Sequence, residues 1–126
     1  MAKKTIIVVE DDPLTARLVA KVIETLGHIV ESTATVDHAF RLAEACQPAV
    51  MLVDVQLGTE SGLDLMSRLA GDPKTMAIPI VVMTALDGPQ DGIALERAGA
   101  IALLEKPFSA ADVVALVAAV IDAGPK

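Results

Sequence analysis

Five short apolar runs alternate with longer amphipathic stretches along this chain. Strands are predicted near Thr5–Val9, His28–Glu31, Ala49–Val53, Ile78–Met83 and Ala100–Leu104. The stretches between them have helical periodicity, which is clearest where Leu14, Leu18, Val22 and Leu26 follow one another at a spacing of four. Strand and helix patterns that alternate at this length predict an α/β fold, with a parallel sheet covered by helices on both faces.

Residues that begin and end helices support these boundaries. Asp12 and Pro13 are typical of the N-cap and the first position of a helix. Ser61–Asp64 and Ser109–Asp112 have the spacing of capping boxes, with Asp in place of the usual Glu. The fourth helix begins in the stretch 88–92, which is rich in Gly and Pro, and we expect it to be the least stable helix.

Composition narrows the class of protein. With 126 residues, 53% of them apolar and 21% charged, the chain is expected to form one globular domain over residues 1–126. A net charge of −7 opposes binding to nucleic acid or to anionic lipid. One cysteine permits no internal disulfide, which suits the cytoplasm, and no apolar stretch approaches the roughly 20 residues that span a bilayer.

Polar side chains stand where four of the predicted strands end. Glu10 and Asp11 follow the first strand, Asp54 follows the third, Thr84 the fourth and Lys106 the fifth. The carboxyl ends of parallel strands lie along one edge of a sheet, and that edge carries the site in folds of this type. The sequence therefore predicts that these side chains converge on one pocket.

The residue types in this pocket suit phosphoryl chemistry. Carboxylates that lie close together repel one another unless a cation lies among them. Oxygen ligands without His or Cys favour a hard ion such as Mg²⁺. A carboxylate beside that ion can attack a phosphoryl donor and become an aspartyl phosphate. Lys106 would supply a second positive charge, and the Thr84 hydroxyl could donate to a phosphoryl oxygen.

Six stretches, in this order and spacing, resemble the receiver domains of two-component response regulators over essentially the whole chain. They are Ile7–Pro13, Leu52–Gly58, Gly62-Leu63, Val82–Ala85, Gly99-Ala100 and Lys106–Phe108. The resemblance is to chemotaxis-regulator-like domains. It implies a flavodoxin-like (βα)5 fold, a doubly wound parallel sheet of five strands in the order 2-1-3-4-5.

The same resemblance implies roles for individual residues. Asp54 would be the phosphoacceptor, supplied by a sensor histidine kinase or a histidine phosphotransfer protein. The Mg²⁺ ligands would be Glu10, Asp11, Asp54 and the backbone carbonyl of Gln56. Thr84 and Lys106 would contact the phosphoryl group, and the Lys106–Pro107 peptide bond would be cis. The domain would catalyse only its own phosphorylation and dephosphorylation, and would pass the signal to a downstream protein target.

Two positions depart from the family pattern. The family usually has Tyr or Phe where this chain has Leu103, and that ring takes part in the family's switch. It also usually has Pro where this chain has Gly58. We expect the signal to leave instead through the segment from Thr84 to Gly92. The apolar residues of the fifth helix cover more than one face, and a homodimer through the fourth and fifth helices is a further expectation.

Three other classes of protein fit parts of the pattern. An aspartate-nucleophile phosphatase needs an acid two residues after its nucleophile, and that position holds Gln56. A flavodoxin-type electron carrier needs a phosphate-binding first loop, but the acids Glu10, Asp11 and Asp12 would repel phosphate. A degenerate receiver that acts only as an interaction module would not need the complete set of acids, Thr84 and Lys106.

Overall fold

Five parallel strands form the central sheet of the computed structural model, which describes residues 3–85 and 95–123. The strands are β1 (Thr5–Val9), β2 (Ile29–Thr33), β3 (Val50–Asp54), β4 (Ile80–Thr84) and β5 (Ala102–Glu105). Their order in the sheet is β2-β1-β3-β4-β5, and every neighbouring pair is parallel. The flavodoxin-like strand order predicted from the resemblance is confirmed.

Helices connect the strands. They are α1 (Pro13–Glu24), α2 (Val36–Cys46), α3 (Gly62–Ala70) and the C-terminal helix (Ala110–Ala123). Residues 95–97 are also helical and end in a Schellman motif, in which the Gly99 and Ala100 N–H groups donate to the Glu96 and Leu95 carbonyls. The stretch 88–92, predicted to begin the least stable helix, lies outside the described residues. No helix within the described ranges is both long and apolar enough to cross a bilayer.

The predicted caps of α1 and the C-terminal helix are present, while at α3 Ser61 caps the Leu63 N–H rather than forming a capping box with Asp64. The Asp12 carboxylate accepts the Thr15 N–H at 3.1 Å, and Pro13 is the first residue of α1. Ser109 and Asp112 form a reciprocal capping box, with their two side chains accepting each other's N–H groups at 2.9 and 3.1 Å. At α3, the Ser61 hydroxyl accepts the Leu63 N–H at 3.1 Å. These contacts fix where each connecting helix starts relative to the strand before it.

Two strand boundaries differ from the prediction at positions that the backbone explains. Pro79 has no N–H for a ladder, so β4 begins at Ile80 rather than Ile78. β2 runs on to Thr33 because each of its residues pairs with one residue of β1, from Thr5↔Ile29 to Val9↔Thr33. Backbone pairing therefore extends β2 through polar residues that the apolar pattern did not include.

Buried side chains form two clusters, one on each face of the sheet. One lies under α2 and α3 and includes Ile7, Val9, Met51 and Val53. The other lies under α1 and the C-terminal helix and includes Ile6, Val8, Leu52 and Val117. Consecutive residues of β1 and β3 therefore point into opposite clusters, as expected for central strands that are buried on both faces.

Helix α1 is correctly predicted, but its buried side is not the side marked by the first leucines. Leu14 and Leu18 are 75% and 55% exposed, whereas Val19 and Ile23 are fully buried. A spacing of four residues advances roughly 400° around a helix with 3.6 residues per turn, so such a stripe drifts about 40° at each step. The two leucines have therefore rotated away from the sheet.

Gly62, the first residue of α3, lies against the end of β3. A Cβ atom on Gly62 would lie 2.2 Å from the Asp54 carbonyl oxygen and 3.0 Å from Cγ1 of Val53. We predict that Gly62→Ala lowers the free energy of unfolding by about 1–3 kcal/mol, because the main chain of a central strand has to shift. Urea denaturation with and without the substitution measures this change.

Gly71→Ala, at the other end of the same helix, is the matched control for that prediction. Gly71 has a φ of −88°, and a Cβ atom there would meet its nearest neighbours at 3.6 and 3.8 Å. Such a substitution is expected to be neutral or to stabilise by about 0.4–1 kcal/mol. Equal losses in the two variants would contradict the proposed contact at Gly62.

Candidate functional site

The strand ends converge as predicted. Asp54 and Thr84 are the last residues of β3 and β4, while Glu10 and Lys106 directly follow β1 and β5. The register places Val9 beside Val53 and Thr84 beside Glu105, so the four ends are level along one edge of the sheet. A cavity of about 700 Å³ opens there. All the residues predicted for the site line this cavity: Glu10, Asp11, Asp54, Gln56, Thr84 and Lys106.

Lys106 joins two of the acids. Its Nζ lies 2.7 Å from Oδ2 of Asp54 and 3.1 Å from Oε1 of Glu10. Partial burial lowers the pKa of Lys106, but its hydrogen bonds to Asp54 and Glu10 outweigh this, and the net pKa is raised. Its backbone N–H donates to the Thr84 carbonyl at 2.8 Å, and the Lys106–Pro107 peptide bond is cis as predicted.

Glu10 is the most buried acid of the site, with 3% of its surface exposed. Burial, and secondly a hydrogen bond with the Asp54 carboxyl, raise the pKa of Glu10 to about 7. Its Oε2 accepts the Asp12 N–H at 3.2 Å, and its own N–H donates to the Thr33 carbonyl at 3.0 Å. Hydrogen bonds with neighbouring segments therefore hold both the side chain and the main chain of Glu10 in place.

Asp54 is held by the residues that follow it as well as by Lys106. Its Oδ1 accepts the Gln56 N–H at 2.9 Å. The Val55 N–H donates to the Met83 carbonyl at 3.3 Å, and the Val55 carbonyl accepts the Gly62 N–H at 2.7 Å. The phosphoryl-accepting position predicted from the sequence is thus a carboxylate that is 6% exposed and fixed from several sides.

Sequence reasoning missed a short antiparallel ribbon directly after Asp54. Gln56–Leu57 pairs with Glu60–Ser61, and only Gly58 and Thr59 lie between them. Gly58 has a φ of +64°, a value that Pro cannot adopt because its ring holds φ near −65°. The sequence signal was the glycine itself, since a two-residue hairpin loop favours Gly at its first central position. A Pro at position 58 would therefore require a different turn.

Three carboxylates of the site are close enough to share one cation. One oxygen each from Glu10, Asp11 and Asp54 lies within 4.8 Å of the others. Asp11 is exposed, while Glu10 and Asp54 are buried. An all-oxygen set beside a cavity of this size fits a hard divalent ion that keeps part of its water shell. Asp12 is not in this cluster: hydrogen bonds from Thr15 lower the pKa of Asp12, and it caps α1.

Comparison with known proteins decides the family. The sequence profile described as the response regulator receiver domain matches residues 6–118. The chain belongs to this family. As a receiver domain, it is a component of two-component signalling systems. The acidic pocket and the strand order described above agree with that assignment.

Two curated relatives show how far the similarity extends. The polar-differentiation response regulator DivK of Brucella ovis is 31% identical over 106 residues, which are 84% of this chain and 86% of DivK. The DNA-binding dual master transcriptional regulator RpaA of Synechocystis is 32% identical over 116 residues, which are 92% of this chain but 48% of RpaA. The receiver domain thus spans about half the length of the first curated relatives that it matches.

A solved structure supports the interpretation of the acidic cluster. The receiver domain of the sensor histidine kinase PA1611 from Pseudomonas aeruginosa superposes with a TM-score of 0.86 and 26% identity, covering 96% of this chain and 99% of that one. That structure has a magnesium ion coordinated in its active-site cleft. In the present receiver domain, the three clustered carboxylates lie in the cavity at the carboxyl edge of the sheet.

Proposed function

We propose that Asp54 accepts a phosphoryl group from a phosphohistidine of a sensor histidine kinase or a histidine phosphotransfer protein. The main evidence for this proposal is that Asp54 lies at the cavity, in contact with Lys106 and beside Glu10 and Asp11. An Asp54 carboxylate oxygen attacks phosphorus, the phosphorus–nitrogen bond of the donor breaks, and the imidazole leaves. Phosphoryl transfer depends mainly on position and charge neutralisation, which this arrangement supplies.

The remaining residues of the site would together offset the negative charge of the phosphoryl group. Glu10, Asp11, Asp54 and the Gln56 carbonyl would hold Mg²⁺, which when bound offsets the negative charge of the incoming phosphoryl group. Lys106 already contacts the Asp54 carboxylate at 2.7 Å and would bind a phosphoryl oxygen after transfer. The Thr84 hydroxyl would donate to another. Removal of the phosphoryl group by water at the same site would be the only other reaction of the domain.

Small phosphodonors test this proposal directly. With Mg²⁺ and acetyl phosphate or phosphoramidate, the protein is expected to gain one phosphoryl group that is stable in acid and labile in base. EDTA should prevent the gain, which intact-protein mass spectrometry measures. Gln56 occupies the position at which an aspartate-nucleophile phosphatase has the acid that protonates its leaving group, so we expect no multiple turnover of p-nitrophenyl phosphate. No incorporation, or sustained turnover of that ester, would contradict the proposal.

Thr84 is proposed to transmit the signal in place of the aromatic residue that Leu103 replaces. Both side chains are on the sheet face that packs under α2 and α3, where Leu103 is half-buried against the cluster. We predict that Thr84→Ala keeps phosphorylation but loses most of the change in NMR shifts that beryllofluoride and Mg²⁺ cause between residues 84 and 98. Leu103→Ala should keep both phosphorylation and most of this change in NMR shifts. The reverse pattern would refute this route, most of which lies outside the described residues.

The partners proposed for the output are proteins. The net charge of −7 disfavours direct contact with nucleic acid, and the cytoplasm stays the predicted location. On the C-terminal helix, Val113 and Val117 are buried, and Leu116 and Val120 pack partly against the same core cluster. Val114 is half-buried outside that cluster, and a homodimer through the fourth and fifth helices stays a prediction. The part of that predicted surface on the fourth helix lies largely outside the described residues.

A further inference from the structure

The ribbon after Asp54 is too short to hold its own shape. It consists of two residue pairs, Gln56↔Ser61 and Leu57↔Glu60. Isolated two-stranded ribbons are marginal in water even when they are longer. Contacts outside the ribbon must therefore determine where Gln56 lies. One contact is the buried side chain of Leu57, which is 3% exposed, and another is the hydrogen bond from the Gly62 N–H to the Val55 carbonyl.

Glu60 supplies a third contact, to a different helix. Its Oε1 accepts the backbone N–H of Val36, the first residue of α2, at 3.1 Å. The N–H groups in the first turn of a helix have no partner within the helix, so a side-chain oxygen that accepts one of them is stabilising. The hydroxyl of Thr35 accepts a different N–H of the same turn, that of His38, at 3.3 Å. Glu60 therefore connects the ribbon to α2, while the Thr35 hydroxyl caps α2 through a hydrogen bond that does not involve the ribbon.

We propose that Glu60 is a positioning residue for the phosphorylation site. By holding the ribbon on the N-terminus of α2, the Glu60 carboxylate fixes the backbone of Gln56. The Gln56 N–H orients the Asp54 carboxylate at 2.9 Å, and the Gln56 carbonyl is the proposed backbone ligand of Mg²⁺. This inference rests on the proposed function, because it concerns the same metal and the same acceptor.

Three variants separate the contribution of the Glu60 hydrogen bond from the contributions of the Glu60 charge and of the stability of α2. Glu60→Ala removes the acceptor, Glu60→Gln keeps an acceptor oxygen but removes the charge, and Thr35→Ala weakens α2 while leaving the Glu60 contact in place. Residues that orient metal ligands typically contribute about 10–100-fold to metal affinity. Because Glu60 acts through the backbone, the lower end of that range applies, and Glu60→Ala should weaken Mg²⁺ binding about tenfold.

Two readouts are needed, and one of them requires no metal. Amide exchange of Gln56 in EDTA reports whether the ribbon has loosened, and NMR titration gives the Kd for Mg²⁺. Glu60→Ala should speed the exchange and raise the Kd, while Glu60→Gln and Thr35→Ala should match the wild type in both. If Glu60→Gln binds Mg²⁺ as weakly as Glu60→Ala does, the loss comes from the long-range effect of the charge, and the inference is wrong. Equal weakening by Thr35→Ala, or no change in Glu60→Ala, also overturns it.

Failure of this inference and failure of the proposed function have different signatures. A wild-type protein that takes up a phosphoryl group with Mg²⁺, together with an unchanged Glu60→Ala variant, overturns only the role of Glu60. A wild-type protein that neither binds Mg²⁺ nor takes up phosphoryl overturns the proposed function. In that case the exchange of the Gln56 amide still tests whether Glu60 holds the ribbon.

Discussion

Asp54→Asn is expected to reduce phosphoryl uptake from phosphoramidate to background, while the wild-type protein takes up one group. An amide at this position lacks the charged oxygen that attacks phosphorus. The fold should survive, because Lys106 keeps its ion pair with Glu10 at 3.1 Å. Circular dichroism establishes that the variant is folded, and intact-protein mass spectrometry measures the uptake.

The control for this prediction is an aspartate outside the acidic cluster. Asp64, an exposed residue in the first turn of α3, is close in sequence but is not part of the acidic cluster. Asp64→Asn should label as the wild-type protein does. Undiminished labelling of Asp54→Asn would remove Asp54 from the acceptor role, and loss of labelling in Asp64→Asn would show that the site had been misplaced.

Mg²⁺ is expected to stabilise the folded protein, because it binds a cluster that exists only after folding. With a Kd of roughly 1 mM and about 10 mM Mg²⁺, the gain in the free energy of unfolding is about 1.4 kcal/mol. The melting temperature should rise by roughly 3–8 °C. Asp11→Asn should melt higher than the wild type in EDTA, yet lose most of the response to Mg²⁺. An unchanged response in that variant would exclude Asp11 from the metal site.

The pH dependence of stability in EDTA offers a second measure of the same cluster. Glu10 has a pKa of about 7 in the folded protein against 4.5 as its ordinary value, so the folded state binds more protons between these two values. The contribution of Glu10 to stability is therefore expected to fall as the pH rises through this window, by on the order of 3 kcal/mol. Glu10→Gln should flatten the dependence. A wild-type protein that gains stability from pH 5 to 7 in EDTA would contradict this.

Much of the site could be predicted because it depends on two simple regularities. Apolar runs mark buried strands, and the residues that follow parallel strands meet at one edge of the sheet. Asp54 and Lys106 are 52 residues apart, yet these two regularities bring them together at 2.7 Å. The resemblance to receiver domains then assigned to each position a role that residue type alone left open.

Other features could not be predicted because they depend on three-dimensional neighbours. The contact of Glu60 with the Val36 N–H joins residues 24 apart, and neither residue type identifies the other as its partner. The exposure of Leu14 and Leu18 depends on how α1 is rotated over the sheet, which an apolar stripe of spacing four does not determine. The close approach of Gly62 to the Asp54 carbonyl is likewise invisible in a list of residue types.

The ion pairs of Lys106 also bear on the order in which the molecule assembles. Glu10 and Asp54 come together when β1 pairs with β3, but the cation that they share lies 96 and 52 residues further along the chain. During synthesis, a chain that has not yet formed β5 would hold two buried acids without their counter-ion. Such a partial fold is penalised electrostatically, and contacts of this sequence separation form slowly. Competence to accept a phosphoryl group is therefore expected to arise only after β5 has joined the sheet and brought Lys106 to the two acids.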